Sequence, residues 1–347
     1  MKGTGELPNH VADQVCDLGH ARRLAGMSAA RTLGFSGISV PAVGIGCNAF
    51  GARIDADRVH QVVDAALEHD VAFFDTADTY GLGASEELLG RAIKGRRDRV
   101  VIATKFGMDM QGVNGDDGGR RGSAAYVRTA VEASLRRLGV DHIDLYQFHT
   151  PDPGTPIEET LEALDALVTA GKVRAIGCSN MQAWQVVDAS WQSRTRGLAA
   201  FATAQNEYSL YNRTAETELV PACQSLGVGI LPYFPLAYGL LTGKYRRGEQ
   251  APEGTRLALQ STRLENADWD RIEALQDFAD GHGVPLLDLA IGGLAAQPGV
   301  ASVIAGVTSA EQVAANAAAG RWTPTPDQLE ELAFLGRPTM SYTTFAP

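Results

Sequence analysis

Four side chains in this sequence could act on one reacting carbonyl: Asp75, Tyr80, Lys105 and His149. Reducing a carbonyl requires a hydride at carbon and a proton at oxygen, where negative charge develops as the hydride arrives. Tyrosine can supply that proton, but its ordinary pKa of ~10 makes it a reluctant acid. A neighbouring ammonium stabilises the phenolate and lowers that value, and a carboxylate holds the ammonium in place. A histidine beside the oxygen can polarise or orient it. Read alone, an Asp or Lys at the end of a strand is usually a solvated rim residue, and His149 alone is equally a satisfied core histidine. Here Asp75 ends the run Val71-Ala72-Phe73-Phe74 and Lys105 ends the apolar run 100–104. Charges so placed must face a shared opening.

The elements that would position them repeat along the chain. Apolar, β-rich runs occur at 42–47, 71–75, 100–104, 143–148, 173–178, 201–205, 228–233 and 301–305. Segments of helical periodicity alternate with them at 56–69, 85–93, 124–138, 157–170, 183–189, 215–226 and 309–319. Gly139, Gly171 and Gly227 stand where a helix would end and the next strand begin. This α/β alternation implies right-handed βαβ units, and eight of them close most economically into a (β/α)8 TIM barrel. The competing fold is an open dinucleotide-binding sheet, because Gly44-Ile45-Gly46-Cys47-Asn48-Ala49 matches G-x-G-x-x-A. That fingerprint needs a helix to start directly beneath the pyrophosphate, whereas helical periodicity begins only near Asp55. Polar groups also finish nearly every run: Asp75, Lys105, His149, Ser179 with Asn180, Gln205, Tyr233, and Thr308 after a turn at Gly306. A barrel gathers strand ends into one pit.

Several stretches exceed a minimal barrel. Residues 31–41 read as an N-terminal β-hairpin turning at Phe35-Ser36-Gly37, and 326–335 as an outer helix. Residues 106–122, with six glycines, and 234–266 read as lids over the strand ends. Helical patterns at 269–280 and 286–296 include one extra helix. The expected organisation is a flexible leader at 1–27 and a single barrel domain at 28–347. Tyr208, Tyr211, Cys47, Cys178 and the tryptophans at 184, 191, 269 and 322 read as packing residues.

Composition narrows the partners. The chain has 347 residues and a net charge of −11, without a run of five like charges, so it offers no electrostatic source for binding nucleic acid or an anionic membrane. Its four cysteines form no CxxC pair, which suggests neither a zinc site nor a disulfide framework. No metal is expected. Residues 1–26 lack the apolar core of a signal peptide, and Pro232 and Pro235 break the most apolar segment. A cytoplasmic protein acting on a small carbonyl or alcohol fits these features.

Phe73-Phe74-Asp75-Thr76-Ala77-Asp78-Thr79-Tyr80-Gly81 resembles the signature of the aldo-keto reductase superfamily. The resemblance continues through Ala103-Thr104-Lys105, Asp144 to His149, Gly177-Cys178-Ser179-Asn180, Gln205-Asn206-Glu207-Tyr208, Pro232 to Leu236, Gly239 to Lys244, and Gln312 to Asn316. It implies a metal-free, NAD(P)H-dependent reductase of aldehydes or ketones. Residue by residue, it implies Tyr80 as general acid, Lys105 and Asp75 as its tuning pair, and His149 as the carbonyl-orienting group. Ser179, Asn180 and Gln205 would hold the nicotinamide carboxamide and Tyr233 would stack on its ring. Main chain near Leu236, Gly239 and Leu240, with Lys244, would hold the pyrophosphate, and Gly306, Thr308, Gln312 and Asn316 the adenosine end. Asn48, Phe50 and Phe106 would line the substrate pocket.

Many relatives carry a cation near Thr308 for the 2′-phosphate of NADP, and here that residue is neutral. Arg256 resembles an arginine that some relatives bring from the preceding loop, so NADP(H) is the favoured cofactor and NAD(H) the alternative. Two alternatives to the reductase remain. One is a sugar or alcohol dehydrogenase running the same chemistry as an oxidation. The other is a cofactor-sensing regulatory subunit, as in the potassium-channel beta subunits.

Overall fold

The computed structural model describes residues 31–259 and 261–336, so the expected leader at 1–27 lies outside the described residues. Strands β1 (Arg31–Thr32) and β2 (Ser39–Val40) pair antiparallel. Leu33, Ile38 and Val40 from this hairpin pack with Phe73, Val101, Leu145 and Leu231, which closes one end of the barrel. Gly34 sits so close to the Ala202 carbonyl that an added Cβ would lie 2.1 Å from its oxygen, and its φ of +52° also favours glycine.

Eight parallel strands follow: β3 (Val43–Gly46), β4 (Phe73–Asp75), β5 (Val101–Phe106), β6 (Ile143–Phe148), β7 (Val173–Ser179), β8 (Phe201–Gln205), β9 (Gly229–Ile230) and β10 (Val303–Gly306). Their order is β10-β3-β4-β5-β6-β7-β8-β9. The ring closes through parallel bridges Ile230–Val300 and Tyr233–Ile304, with Ile304 N donating to Pro232 O at 2.9 Å. The expected (β/α)8 barrel is therefore the observed fold. β9 is shorter than the run 228–233 because Pro232 has no N–H to donate.

Helices α1 (Ala56–Glu68), α2 (Ala84–Ala92), α3 (Ala124–Leu138), α4 (Ile157–Thr169), α5 (Ala183–Arg196) and α6 (Leu219–Leu226) wrap the sheet, followed by α7 (Trp269–Gly281), α8 (Ala310–Ala319) and α9 (Pro326–Phe334). Side-chain caps mark their starts: Asp55 accepts from Arg58 N, Ser123 from Tyr126 N and Ser309 from Gln312 N. α5 runs a further two turns past residue 189, through a polar stretch ended by left-handed Gly197. The helical pattern at 286–296 is instead a short α turn followed by a π turn over Leu289–Gly293.

Strand alternation divides the interior into two layers. Phe73, Val101, Ala103, Leu145, Ala175 and Ile304 fill the barrel, whereas Phe74, Ile102, Phe106, Tyr146 and Phe148 face the helices. Burying a side chain such as Phe73 contributes ~2–3 kcal/mol. Gly44 makes room for it, since a Cβ there would stand 2.7 Å from the ring. The same alternation carries Asp75, Lys105, Gln147 and Gln205 onto the inner face, above this apolar filling. Among the described residues no helix is long and apolar enough to cross a membrane.

Candidate active site

Register brings the inner polar residues together. Asp75 pairs with Ala103 across β4 and β5, and Lys105 pairs with Gln147 across β5 and β6. Lys105 Nζ donates to Asp75 Oδ2 at 2.5 Å, to the Thr76 carbonyl at 3.0 Å and to the Tyr80 hydroxyl at 3.4 Å. These three bonds use the three donors of an ammonium, and the side chain has no exposure. Burial alone would lower the Lys105 pKa, but Asp75 and Tyr80 outweigh it and the net direction is upward. The ammonium is therefore fixed in charge and in orientation.

Tyr80 departs from the expectation of a lowered pKa. Burial pushes its phenol above the usual value, by more than the Lys105 ammonium pulls it down. The hydroxyl thus keeps its proton at neutral pH, as an acid must before it reacts.

Asp75 is satisfied on both oxygens. Its Oδ1 accepts from Gln147 Nε2 and from Gln205 Nε2, each at 2.9 Å. Gln205, expected at the nicotinamide carboxamide, donates its amide nitrogen to Asp75 and, at 3.2 Å, to Gln147 Oε1. Gln147 is a further member of the site, beyond the residues expected there. The signal in the sequence is an amide inside the apolar run 143–148, on the same parity as Leu145 and His149. Gly177 makes room for it, as an added Cβ would lie 3.2 Å from Gln147 Cγ and 2.4 Å from Thr203 Oγ1.

His149 follows β6, with its N–H bonded to Phe106 O at 2.8 Å and its ring edge-on to Tyr80 at 6.0 Å between centroids. Burial, and then the Lys105 charge, lower its pKa to about 3, so the imidazole is neutral. Nδ1 is buried without a partner. A buried acceptor tolerates this better than a buried N–H, which assigns the proton to Nε2. A neutral N–H donor then stands beside a protonated phenol.

The residues expected around a dinucleotide lie on the neighbouring strand ends. Ser179 Oγ donates to Gln205 O at 2.8 Å, and Asn180 Nδ2 to His149 O at 2.9 Å. Tyr233 donates its hydroxyl to Asn180 Oδ1 at 2.8 Å and stands edge-on to Phe234. Leu236 precedes, and Gly239 and Leu240 lie within, a kinked turn over Ala237–Thr242 in which Ala237, Tyr238 and Gly239 all have positive φ. Lys244 is exposed just beyond it. Arg256 opens a 3-10 turn over Arg256–Leu259, and its side chain lies outside the described residues. Across the mouth, Gly306 is exposed, Thr308 N and Oγ1 both donate to Gln312 Oε1 at 2.8 and 3.2 Å, and Asn316 is buried.

The three residues expected to line a substrate pocket separate. Asn48 lies in the turn two residues past β3, with its Oδ1 buried, unpartnered among the described residues, and 3.5 Å from where a Cβ on Gly306 would stand. Phe50 and Phe106 have no exposure, and Phe106 stacks on Tyr146 and Phe148 in the layer facing the helices. They shape the walls from behind. Trp184 and Trp191, expected to pack, are 62% and 66% exposed on α5. A groove of about 770 Å³ opens elsewhere on the rim, lined by Glu207, Tyr211, Tyr238, Arg263, Asp268 and Arg271 among others, and none of the four central residues reaches it.

Comparison with known proteins agrees with this architecture. The model of the Aldo/keto reductase family matches residues 42–335. The uncharacterized oxidoreductase YrpG of Bacillus subtilis is 36% identical over 81% of this chain and 87% of its own. A probable voltage-gated potassium channel subunit beta of Arabidopsis thaliana is 33% identical over 82% of this chain and 89% of its own. The solved holo form of aldo-keto reductase AKR11C1 from Bacillus halodurans superposes with a TM-score of 0.73 at 31% identity, covering 89% of this chain and 96% of that one. The chain belongs to the aldo/keto reductase family and is an oxidoreductase of that family.

Proposed function

We propose that this protein reduces an aldehyde or ketone to the alcohol with NADP(H), and that Tyr80 is the general acid. The observation that carries this reading is the chain of contacts from Asp75 through Lys105 to the Tyr80 hydroxyl, 2.5 and 3.4 Å in length, inside a barrel mouth. The residues present suit a nicotinamide dinucleotide: amide and hydroxyl groups at Ser179 and Asn180, an aromatic face at Tyr233, an exposed glycine at 306 and an exposed cation at Lys244. When bound, the nicotinamide supplies the hydride.

The protein's own groups do the rest. His149 donates through Nε2 to the carbonyl oxygen and orients it. Tyr80 delivers its proton to that oxygen as charge develops there. Lys105 stabilises the phenolate left behind, and Asp75, held by two amides, keeps the ammonium in place. Asn180, fixed by Tyr233 and the His149 carbonyl, orders the cofactor side of the mouth. Asn48 offers an unpaired acceptor to a substrate hydroxyl or amide. The oxidation of an alcohol would use the same groups in reverse.

The test follows NAD(P)H absorbance with a panel of aldehydes, ketones and keto-sugars. Turnover is expected and should fall by ~10²–10⁴ in Tyr80→Phe, with cofactor affinity retained. An unchanged rate in that variant removes Tyr80 from the mechanism. The potassium-channel relatives favour a second reading, a cofactor sensor, which predicts tight NADPH binding without turnover on any member of the panel. Cofactor choice rests on Arg256: Arg256→Ala should lower NADPH affinity relative to NADH, and an unchanged ratio would refute that role.

A further inference from the structure

Helix α5 turns its largest apolar side chains away from the barrel. Its inward side packs through Val186, Ala189, Ser190 and Ser193, all small and buried. Its outward side presents Trp184, Val187 and Trp191, which are 62%, 44% and 66% exposed. Steps of three and then four residues put these three on one stripe. An ordinary surface helix has the opposite arrangement, apolar inside and polar outside. Other large exposed hydrophobic residues, such as Phe35, Leu82 and Phe334, stand singly on separate elements.

The stripe is large enough to hold a partner. A tryptophan buries up to ~250 Å² when covered, so at these exposures the two leave roughly 300 Å² of apolar surface in water. Each side of a stable protein interface covers ~800 Å², somewhat over half of it apolar. Two side chains therefore supply roughly two thirds of the apolar area that one side of a dimer needs. Tryptophan is also among the residues most enriched where binding energy concentrates.

The charges beside the stripe favour a second copy of this chain as its cover. Asp188 precedes Trp191 by three residues, and Arg194 follows it by three. Arg196, the other cation at this helix end, is bonded to Glu162 at 2.7 Å, whereas Asp188 and Arg194 have no ion pair among the described residues. An acid and a base set evenly about a central tryptophan make the face complementary to itself turned end for end. At a rise of ~1.5 Å per residue, an antiparallel copy with its Trp191 against this one brings its Arg194 level with this Asp188. Its Leu198, half-buried here, comes level with this Trp184. The two helix dipoles also oppose, and every contact is made twice, as a two-fold interface requires.

We propose that two copies of this protein pair antiparallel along α5 in solution, with Trp191 at the two-fold axis and Asp188 facing Arg194 of the other copy across the seam. Trp184 and Val187 extend the apolar contact to either side. The proposal is independent of the reductase reading, because none of these residues touches the Asp75, Tyr80, Lys105 and His149 cluster.

Sedimentation velocity over a range of protein concentrations reads the pairing directly. The wild type should sediment as a dimer at micromolar concentration. Trp191→Asp should raise the dissociation constant about 100-fold or more, since the change falls twice at the centre of the interface. Arg194→Asp should weaken the dimer about tenfold, because it sets an acid level with Asp188 of the other copy. Adding Asp188→Arg to that variant restores opposite charges at both places and should recover the dimer. Only a second copy in this orientation gives that recovery; a parallel pair or an unrelated partner does not. A monomeric wild type overturns the proposal. So does a dimer that Trp191→Asp leaves intact, or one that the single charge reversal fails to weaken or the double reversal fails to recover. The charge pair decides the matter if Trp191→Asp does not fold.

Discussion

Asp75 and Asp78 lie three residues apart on one segment, both out of contact with solvent, and the barrel gives them opposite surroundings. Asp75 is the last residue of β4 and points inward, where Lys105 and two glutamine amides fill its oxygens. Asp78 lies beyond the strand end, faces α3 and the 107–122 loop, and receives a neutral amide. Burial is common to both, so burial alone does not set what a carboxyl does. A cation within bonding distance holds Asp75 in an ion pair, whereas burial and then repulsion from Glu86 raise the Asp78 pKa to about 8.

The sharpest way to break this contrast is to give Asp75 the surroundings of Asp78. Lys105→Met removes the ammonium bonded to Asp75 and leaves that carboxyl facing two amides. Loss of one partner from a buried pair costs ~3–5 kcal/mol. Urea unfolding at pH 7 should show that loss, and carbonyl reduction should vanish with it. If stability is unchanged, the Lys105 ammonium contributes nothing to holding Asp75 in the fold, and the distinction between the two carboxyls fails.

A milder change sharpens the comparison. Gln147→Leu withdraws one of the two amides from Asp75 Oδ1 while leaving Lys105 in place. A hydrogen bond to a charged group contributes ~1.5–3 kcal/mol, so unfolding should be easier by that order. The carboxylate should also hold Lys105 less firmly, lowering kcat more than it raises the KM for the carbonyl substrate. A change in KM alone would mean that Gln147 shapes the pocket and not the ion pair.

How far the sequence disclosed these two sites follows from the distances involved. Asp75 and Lys105 were legible because each closes an apolar run, and a charge there has one face to turn to. The barrel was legible from the same alternation, and β6, β8, α3 and α8 fall within a residue of their expected bounds. Gln147 stood inside a recognised motif, yet its role depends on the register that sets it opposite Lys105, and single-strand periodicity carries no register. Asp78 was harder still. Its partner Asn114 comes from the middle of a glycine-rich loop, and no periodic pattern relates the two. The burial of Phe50 and Phe106 was not legible, because adjacency to a strand end does not say which face a ring takes. Parity does, and Phe106 alternates with Lys105.

The smallest effect expected is also the one that separates the two carboxyls by sign. Asp78 has a folded-state pKa raised to about 8, above the ~3.9 of an unfolded chain. Between those values the native state binds the proton and the unfolded state does not. The stability this confers is fully present below pH ~4 and is lost as pH rises through about 8. Asp78→Asn removes that titration, so its Tm should fall less steeply than the wild type's from pH 5 to pH 8. The difference at any one pH is smaller than for Lys105→Met, because Asp78→Asn leaves no buried charge without its partner. Asp75→Asn should do the reverse at every pH in this range, destabilising the fold by leaving Lys105 buried without its anion. Parallel Tm curves for wild type and Asp78→Asn would mean that Asp78 is already ionised and that Arg137, which bonds Glu86, serves both of these carboxylates.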